Sequence, residues 1–228
     1  MSATAVIERA LQTGGESNDA IYRAAAHALQ RVVARRPRDL SLPGLLVDVG
    51  CGSGNFREFA AGLAGEYVGV DVVRHRRFQQ DLRFLQADLD TESIPLPDAC
   101  AGVVTAIEVI EHLDNPRAFY RELVRIVAPG GCLIVTTPNQ ASALSVLSLA
   151  ATGRFPAFTE TSYPAHRTAL LPVDLERIAT ECGLNQIEIH YSLRGRIPLT
   201  ALHYPALLAR ALPRALSDNV LMVGCKDG

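Results

Sequence analysis

Nowhere in the 228 residues does an apolar run approach the ~18 residues that a membrane-spanning helix requires, which excludes an integral helical membrane protein. The opening MSATAVIERALQTGGE carries acidic and polar residues where a secretory leader needs an apolar stretch. No export is expected, and the expected compartment is cytoplasmic. Cysteine is sparse: Cys51, Cys100, Cys132, Cys182 and Cys225 stand singly, each in or beside an apolar stretch, with no C-x-x-C pair. They read as reduced core thiols. Neither sign of charge is in excess, and a net charge of −2 with a pI near 6.3 gives no global pull toward nucleic acid or an anionic surface. Partners must therefore be argued locally. No basic surface interleaved with aromatics, of the kind that stacks RNA bases, stands out.

What is present is 48% hydrophobic residue in a length suited to one sizeable core, so residues 1–228 read as a single domain. Its organising stretch is LLVDVGCGSGNF at 45–56. Leu45, Leu46, Val47 and Val49 supply a short buried strand, Gly50, Gly52 and Gly54 permit backbone angles and close approach that a Cβ would block, and Phe56 opens a helix. A ligand can lie against bare backbone there. A second strand, EYVGVD, ends in Asp71, twenty-one residues after Gly50, where an acid suits the two hydroxyls of a ribose. The dinucleotide fingerprint is G-x-G-x-x-G/A. Here the glycines run G-x-G-x-G and Asp48 precedes them, which suits a ligand bearing an ammonium and a sulfonium better than a pyrophosphate.

At this point DVGCGSG, with Asp71 downstream, resembles motif I of the class I S-adenosylmethionine-dependent methyltransferases. The rest of the chain follows the same order. From residue 18, IYRAAAHALQRVVARR places Ile21, Ala25, Ala28, Leu29, Val32 and Val33 on one helical face, capped by Asn18 or Asp19, and 37–44 breaks it. FREFAAGLAG reads as a first crossover helix. Asp88 follows Asp71 by only 17 positions, so the next crossover helix must be short, and Arg74, His75, Arg76 and Arg77 read as its solvated face. RFLQAD, 101–107, 131–137, NQIEIHYS and NVLMVGC complete the strands, APGG is a turn, and Asn115-Pro116 starts the helix RAFYRELVRIV.

Through AIEVIEHLDNP and ELVRIVAPGGCLIVTTPN the chain resembles the subfamily of ubiquinone-biosynthesis O-methyltransferases. The resemblance implies a Rossmann-like doubly wound α/β sheet of seven strands, mostly parallel with an antiparallel last strand. It implies S-adenosylmethionine as cofactor, S-adenosylhomocysteine as product, and cofactor contacts from Asp48, Gly50, Cys51, Gly52, Gly54, Asp71, Val72, Asp88, Leu89 and Ile107. The organisation expected is an N-terminal helix and linker at 18–44, a cofactor core at 45–140, and lid or substrate segments at 141–171 and 192–217.

Methyl transfer from a sulfonium is an in-line displacement by an activated donor, so the protein must align the partners and remove a proton from the acceptor. Glu108, Glu111 and His112 stand at i, i+3 and i+4, which on a helical turn puts them on one face. His112 is the leading base, assisted by Glu111; a positioning role for His112 is equally open. Adding His166 gives two carboxylates and two imidazoles, a candidate divalent-metal set that resembles small-RNA 3′-end 2′-O-methyltransferases. The expected acceptor is a small hydrophobic or hydroxyl-bearing molecule rather than nucleic acid. RNA or protein methylation, or an NAD or other nucleotide protein, are the alternatives. Two apolar segments, 142–158 and 197–216, lie outside the motifs, the second accompanied by Arg194, Arg196, Arg210 and Arg214; they read as lid helices on the core, a peripheral membrane contact, or a dimer interface.

Overall fold

Seven strands form one sheet in the computed structural model, which describes residues 19–35, 44–63, 65–198 and 200–228. The expected cap at Asn18 and most of the 37–44 linker lie outside the described residues. In chain order the strands are β1 (Leu45–Val49), β2 (Glu66–Asp71), β3 (Arg83–Gln86), β4 (Ala101–Ile107), β5 (Val127–Pro138), β6 (Asn185–Ser192) and β7 (Asn219–Cys225). Their order across the sheet is β3-β2-β1-β4-β5-β7-β6, with β7 antiparallel to both β5 and β6 and the other pairings parallel. The expected architecture is therefore borne out. Strand order runs one way from β1 to β3 and the other way from β4, which makes the β1/β4 junction the switch point where open α/β sheets bind ligands.

The strands near the centre are apolar on both faces, as a sheet covered on both sides requires, and β4 and β7 are buried along their whole length. On one face α1 (Asp19–Ala34) lays Ile21, Tyr22, Ala25, Ala26, Ala28 and Leu29 over Leu46, Phe56, Val103 and Leu221. Val33 departs from the expected stripe and faces solvent. The other face is covered by α3 (Pro116–Ile126) and α5 (Pro172–Glu181), through Phe119, Tyr120, Leu123, Leu175 and Ile178. Asn115 caps α3 as expected, its Oδ1 accepting from the Ala118 N–H at 3.0 Å, a cap of the kind worth ~1 kcal/mol.

Three expectations fail locally. The first crossover helix, α2 (Phe56–Phe59), lasts one turn, closed by the Ala60 N–H donating to the Phe56 carbonyl, and buries Phe56 fully. Between β2 and β3 there are turns and no helix. The basic cluster is split accordingly: His75 is buried, while the Arg74 guanidinium lies over the Phe78 and Phe84 rings. Finally, Cys132 and Cys225 are not thiols. The insertion of β7 beside β5 sets them opposite one another, and the structure joins them as a disulfide across 93 residues of sequence.

The two segments outside the motifs form short helices: α4 (Ala143–Thr152) after β5, and α6 (Ala206–Ala211) with α7 (Pro213–Leu216) between β6 and β7. Ser142 caps α4 by accepting from the Ser145 N–H. Their long apolar side chains are not buried, since α4 buries only Ser145 and α6 only Ala209. Among the described residues no helix is long and apolar enough to cross a membrane.

Candidate active site

The parallel strands deliver the candidate residues to one sheet edge, because β1, β2, β3 and β4 all end there. At the end of β1 the backbone takes φ of +73° at Gly50, +51° at Gly52 and +80° at Gly54, angles that residues with a side chain rarely adopt. The turn is also crowded. A Cβ on Gly50 would stand 2.2 Å from Val109 Cγ2, so this glycine is needed for packing as well as for backbone angle.

Asp71, 5% exposed, closes β2 directly against this turn. Its Oδ2 accepts from the Gly52 N–H at 2.9 Å and its Oδ1 from the Val72 N–H at 2.7 Å. Burial raises its pKa, and the two amides oppose that rise. Asp48 sits deeper, with Tyr67 Oη donating to Oδ2 at 2.6 Å and Thr105 Oγ1 to Oδ1 at 2.8 Å. Burial pushes its carboxyl up to about 6, against the pull of those two hydroxyls. The structure thus builds Asp48 into the framework behind the turn. Cys51 is buried beside it, its thiol pushed far up by burial and by the two carboxylates. Asp88 is exposed beyond β3, its Oδ1 accepting from the Asp90 N–H, while Leu89 packs on the core and Ile107 is buried at the end of β4.

After Ile107 the chain departs from the expected helical face. Glu108 takes φ of +57°, and the one-turn 3₁₀ segment starts only at Ile110 and ends at His112. Glu108 is consequently turned toward β5 and β7, where Oε1 accepts from Thr136 Oγ1 at 2.8 Å and from Asn219 Nδ2 at 2.6 Å. It is not one of a common set with Glu111 and His112. Glu111 is 1% exposed, and its Oε2 accepts from Thr137 Oγ1. Burial and the Glu108 charge raise its pKa.

The 165–168 segment completes the cluster by folding back onto this loop. The Arg167 and Thr168 N–H groups both donate to the Glu111 carbonyl, and Thr168 Oγ1 donates to the Leu113 carbonyl. Arg167 Nη1 reaches Asp90 Oδ2 at 3.2 Å and Asp114 Oδ1 at 2.8 Å, tying the segment to the loop after β3. His112 and His166 meet edge to face at 4.8 Å between ring centroids. A carbonyl can only accept, so His112 Nδ1 donates to Ala165 O at 2.8 Å and His166 Nδ1 to Ala157 O at 2.6 Å. With Nδ1 as the donor, the neutral tautomer of His112 keeps its lone pair on Nε2. Burial holds the His112 pKa below its usual value, which favours the neutral form. One donor atom from each of Glu111, His112 and His166 lies within 4.8 Å of the others, so the four-residue metal set expected from sequence reduces to three.

Thr105, Tyr67, Thr136, Thr137, Asn219 and Arg167 were not singled out from the sequence. The first five lie in strands, where the threonines and the tyrosine suit a pleated sheet and give no sign of a polar task, and Asn219 stands at a strand's first position, where a polar residue is ordinary. Arg167 alone carried a signal, by standing next to His166.

A doubly wound sheet with a glycine turn and an acid at the ends of adjacent strands defines an open α/β protein whose ligand edge lies at the strand ends. More narrowly, residues 20–189 match the model of a methyltransferase domain family, and the chain belongs to that family. It is 33% identical over 98 residues to a probable S-adenosylmethionine-dependent methyltransferase of Mycolicibacterium smegmatis, covering 42% of this chain and 38% of that protein. It is 27% identical over 157 residues to a ubiquinone biosynthesis O-methyltransferase of Burkholderia pseudomallei, covering 65% and 68%. The chain thus spans well under half the length of the first of these relatives. Among solved structures, a SAM-dependent methyltransferase from Archaeoglobus fulgidus shares the fold, with a TM-score of 0.62 at 16% identity over 99% of this chain and 100% of that one.

Proposed function

We propose that the chain is an S-adenosylmethionine-dependent methyltransferase that acts on a hydroxyl of a small, hydrophobic molecule. The observation that carries the chemistry is His112, anchored through Nδ1 to the Ala165 carbonyl and clustered with the buried Glu111 in the loop after β4. The cofactor fits the residues present. The glycine turn leaves backbone bare, Asp71 retains lone pairs for ribose hydroxyls, and Ser53 Oγ is buried in the turn with no hydrogen-bond partner. Gly50, Gly52, Gly54 and Asp71 would hold the cofactor, with Val72, Asp88, Leu89 and Ile107 around the purine and ribose. When bound it supplies an electrophilic methyl on sulfonium.

The chain's own part is proton removal and alignment. His112 Nε2 takes the hydroxyl proton while Nδ1–H stays on Ala165 O, which fixes the ring, and the buried Glu111 lies in the same cluster. The likeness to the ubiquinone O-methyltransferase supports oxygen as the acceptor atom. The test is a screen of phenolic and isoprenoid-like acceptors with labelled cofactor, followed by His112→Ala. Turnover should fall ~10²-fold or more with cofactor affinity nearly unchanged. Normal turnover in both His112→Ala and Glu111→Ala would remove this loop from the mechanism.

A second reading is favoured by the convergence of Glu111, His112 and His166: the same three donors would hold a divalent cation. Both imidazoles already have Nδ1–H anchored to a carbonyl, the arrangement that orients metal-binding histidines. Equilibrium dialysis with Mn²⁺ or Zn²⁺ alone separates the readings. Stoichiometric binding lost in Glu111→Ala, His112→Ala and His166→Ala alike would favour the cation; none in the parent protein would leave His112 as the base.

A further inference from the structure

The exposed face formed by α4, α6 and α7 is apolar and basic at once. Leu207 is 79% exposed and Leu147 55%, and Val146, Leu202, Leu208 and Leu212 are also well exposed. α4 packs against α7, and Asn139 Nδ2 donates to the Arg214 and Ser217 carbonyls, so the two helical segments share one surface. No acid occurs in 139–159 or in 193–217. A cleft of about 810 Å³ bordered by Ala206 and Ala209 of α6 is lined by Arg194, Arg196, His203 and Arg210. Asp218 enters the same cleft and accepts from the Arg196 N–H, offsetting one charge. Among the described residues, Arg194, Arg196, Arg210 and Arg214 are in no ion pair, whereas Arg117, Arg125 and Arg167 each find an acid.

We propose that this face docks the protein on an anionic phospholipid surface, the leucines and Val146 entering the acyl boundary and the arginines meeting headgroup phosphates. Charge decides among the occupants. A second copy in a two-fold dimer would set this face against itself, arginine toward arginine, with only Asp218 of each copy to offset them. A soluble anion would account for the cleft and not for the leucines outside it. An anionic bilayer satisfies both sets of side chains. Orientation agrees as well. α4 follows the end of β5 and α7 precedes β7, so docking would turn the reaction edge of the sheet toward the lipid, where a hydrophobic acceptor would reside.

The test is co-sedimentation of the full chain, with neither cofactor nor acceptor, with vesicles of phosphatidylcholine alone or with a share of phosphatidylglycerol. Failure here is thus distinct from failure of the enzymatic reading. Binding should be at least about tenfold stronger to the anionic vesicles and should weaken with salt. The triple variant Arg194→Glu, Arg196→Glu, Arg210→Glu and the double variant Leu207→Ser, Leu208→Ser should each lower it about tenfold while keeping the parent circular dichroism. No preference for anionic vesicles, or binding unchanged in either variant, would overturn the proposal. So would competition by millimolar inorganic phosphate, which would assign the cleft to a soluble anion. A dimer in sedimentation equilibrium that the leucine variant abolishes would make a second copy the occupant.

Discussion

Asp48 shows how a single buried acid ties the site to the stability of the fold. Its carboxyl is raised from 3.8 to about 6 by burial, with the Tyr67 and Thr105 hydroxyls opposing. A folded pKa above the unfolded one means that the fold binds the extra proton, so this contribution is fully present below pH ~4 and is lost as pH rises through ~6. Asp48→Asn has no such proton to lose. Urea denaturation should therefore show the parent losing roughly 2–3 kcal/mol relative to Asp48→Asn between pH 4 and pH 7. A constant difference across that range would mean that Asp48 titrates alike in the folded and unfolded chain. Glu111 is raised by the same cause, and its neighbour Glu108 adds to the effect.

At the scale of elements, the site depends on two loops that grip each other: the glycine turn after β1 and the Val109–His112 region after β4. Gly50 is the point of closest approach, with the position of a Cβ overlapping Val109 Cγ2. Gly50→Ala should cost about 3 kcal/mol or more, of which ~1–2 kcal/mol is the price of a positive φ and the remainder is the clash. Removing the clash in Gly50→Ala, Val109→Ala should recover part of the melting temperature and leave the backbone share. Full recovery would show that the angle costs nothing here. No recovery would show that the turn fails for another reason. Arg167 performs the complementary task on the far side, holding the 165–168 segment to Asp90 and Asp114 so that His166 stays opposite His112.

For the whole molecule, ligand binding at the sheet edge should appear as added stability. S-adenosylhomocysteine at ~100 times its Kd should stabilise the fold by about 2.7 kcal/mol, a rise in melting temperature of roughly 5–10 °C for a chain of this size. NAD at the same concentration should leave it unmoved. Asp71→Ala should fold and should shrink the shift to a few degrees, since losing charge-assisted bonds to ribose hydroxyls weakens binding by ~1.5–3 kcal/mol. A full shift in Asp71→Ala would remove the end of β2 from the cofactor site. An equal shift with NAD would reopen the dinucleotide reading.

The sequence by itself determined the sheet and its turn. Alternating helices with short apolar strands dictate parallel crossovers, and glycines at 50, 52 and 54 followed by Asp71 mark the ligand edge through backbone geometry that is local in sequence. The family resemblance added the antiparallel seventh strand. Tertiary structure decided what depends on neighbours distant along the chain. Glu108 left the Glu111–His112 face because Thr136 and Asn219 offered it hydrogen bonds from β5 and β7. His166 joined that face because 165–168 docks on the Glu111 carbonyl. Cys132 met Cys225 through the register of inserted β7, and the leucines of α6 turned outward although their apolar character matched a core helix. Residue type fixes what a side chain can do, but its partner is set by long-range packing, and no spacing within one segment encodes that.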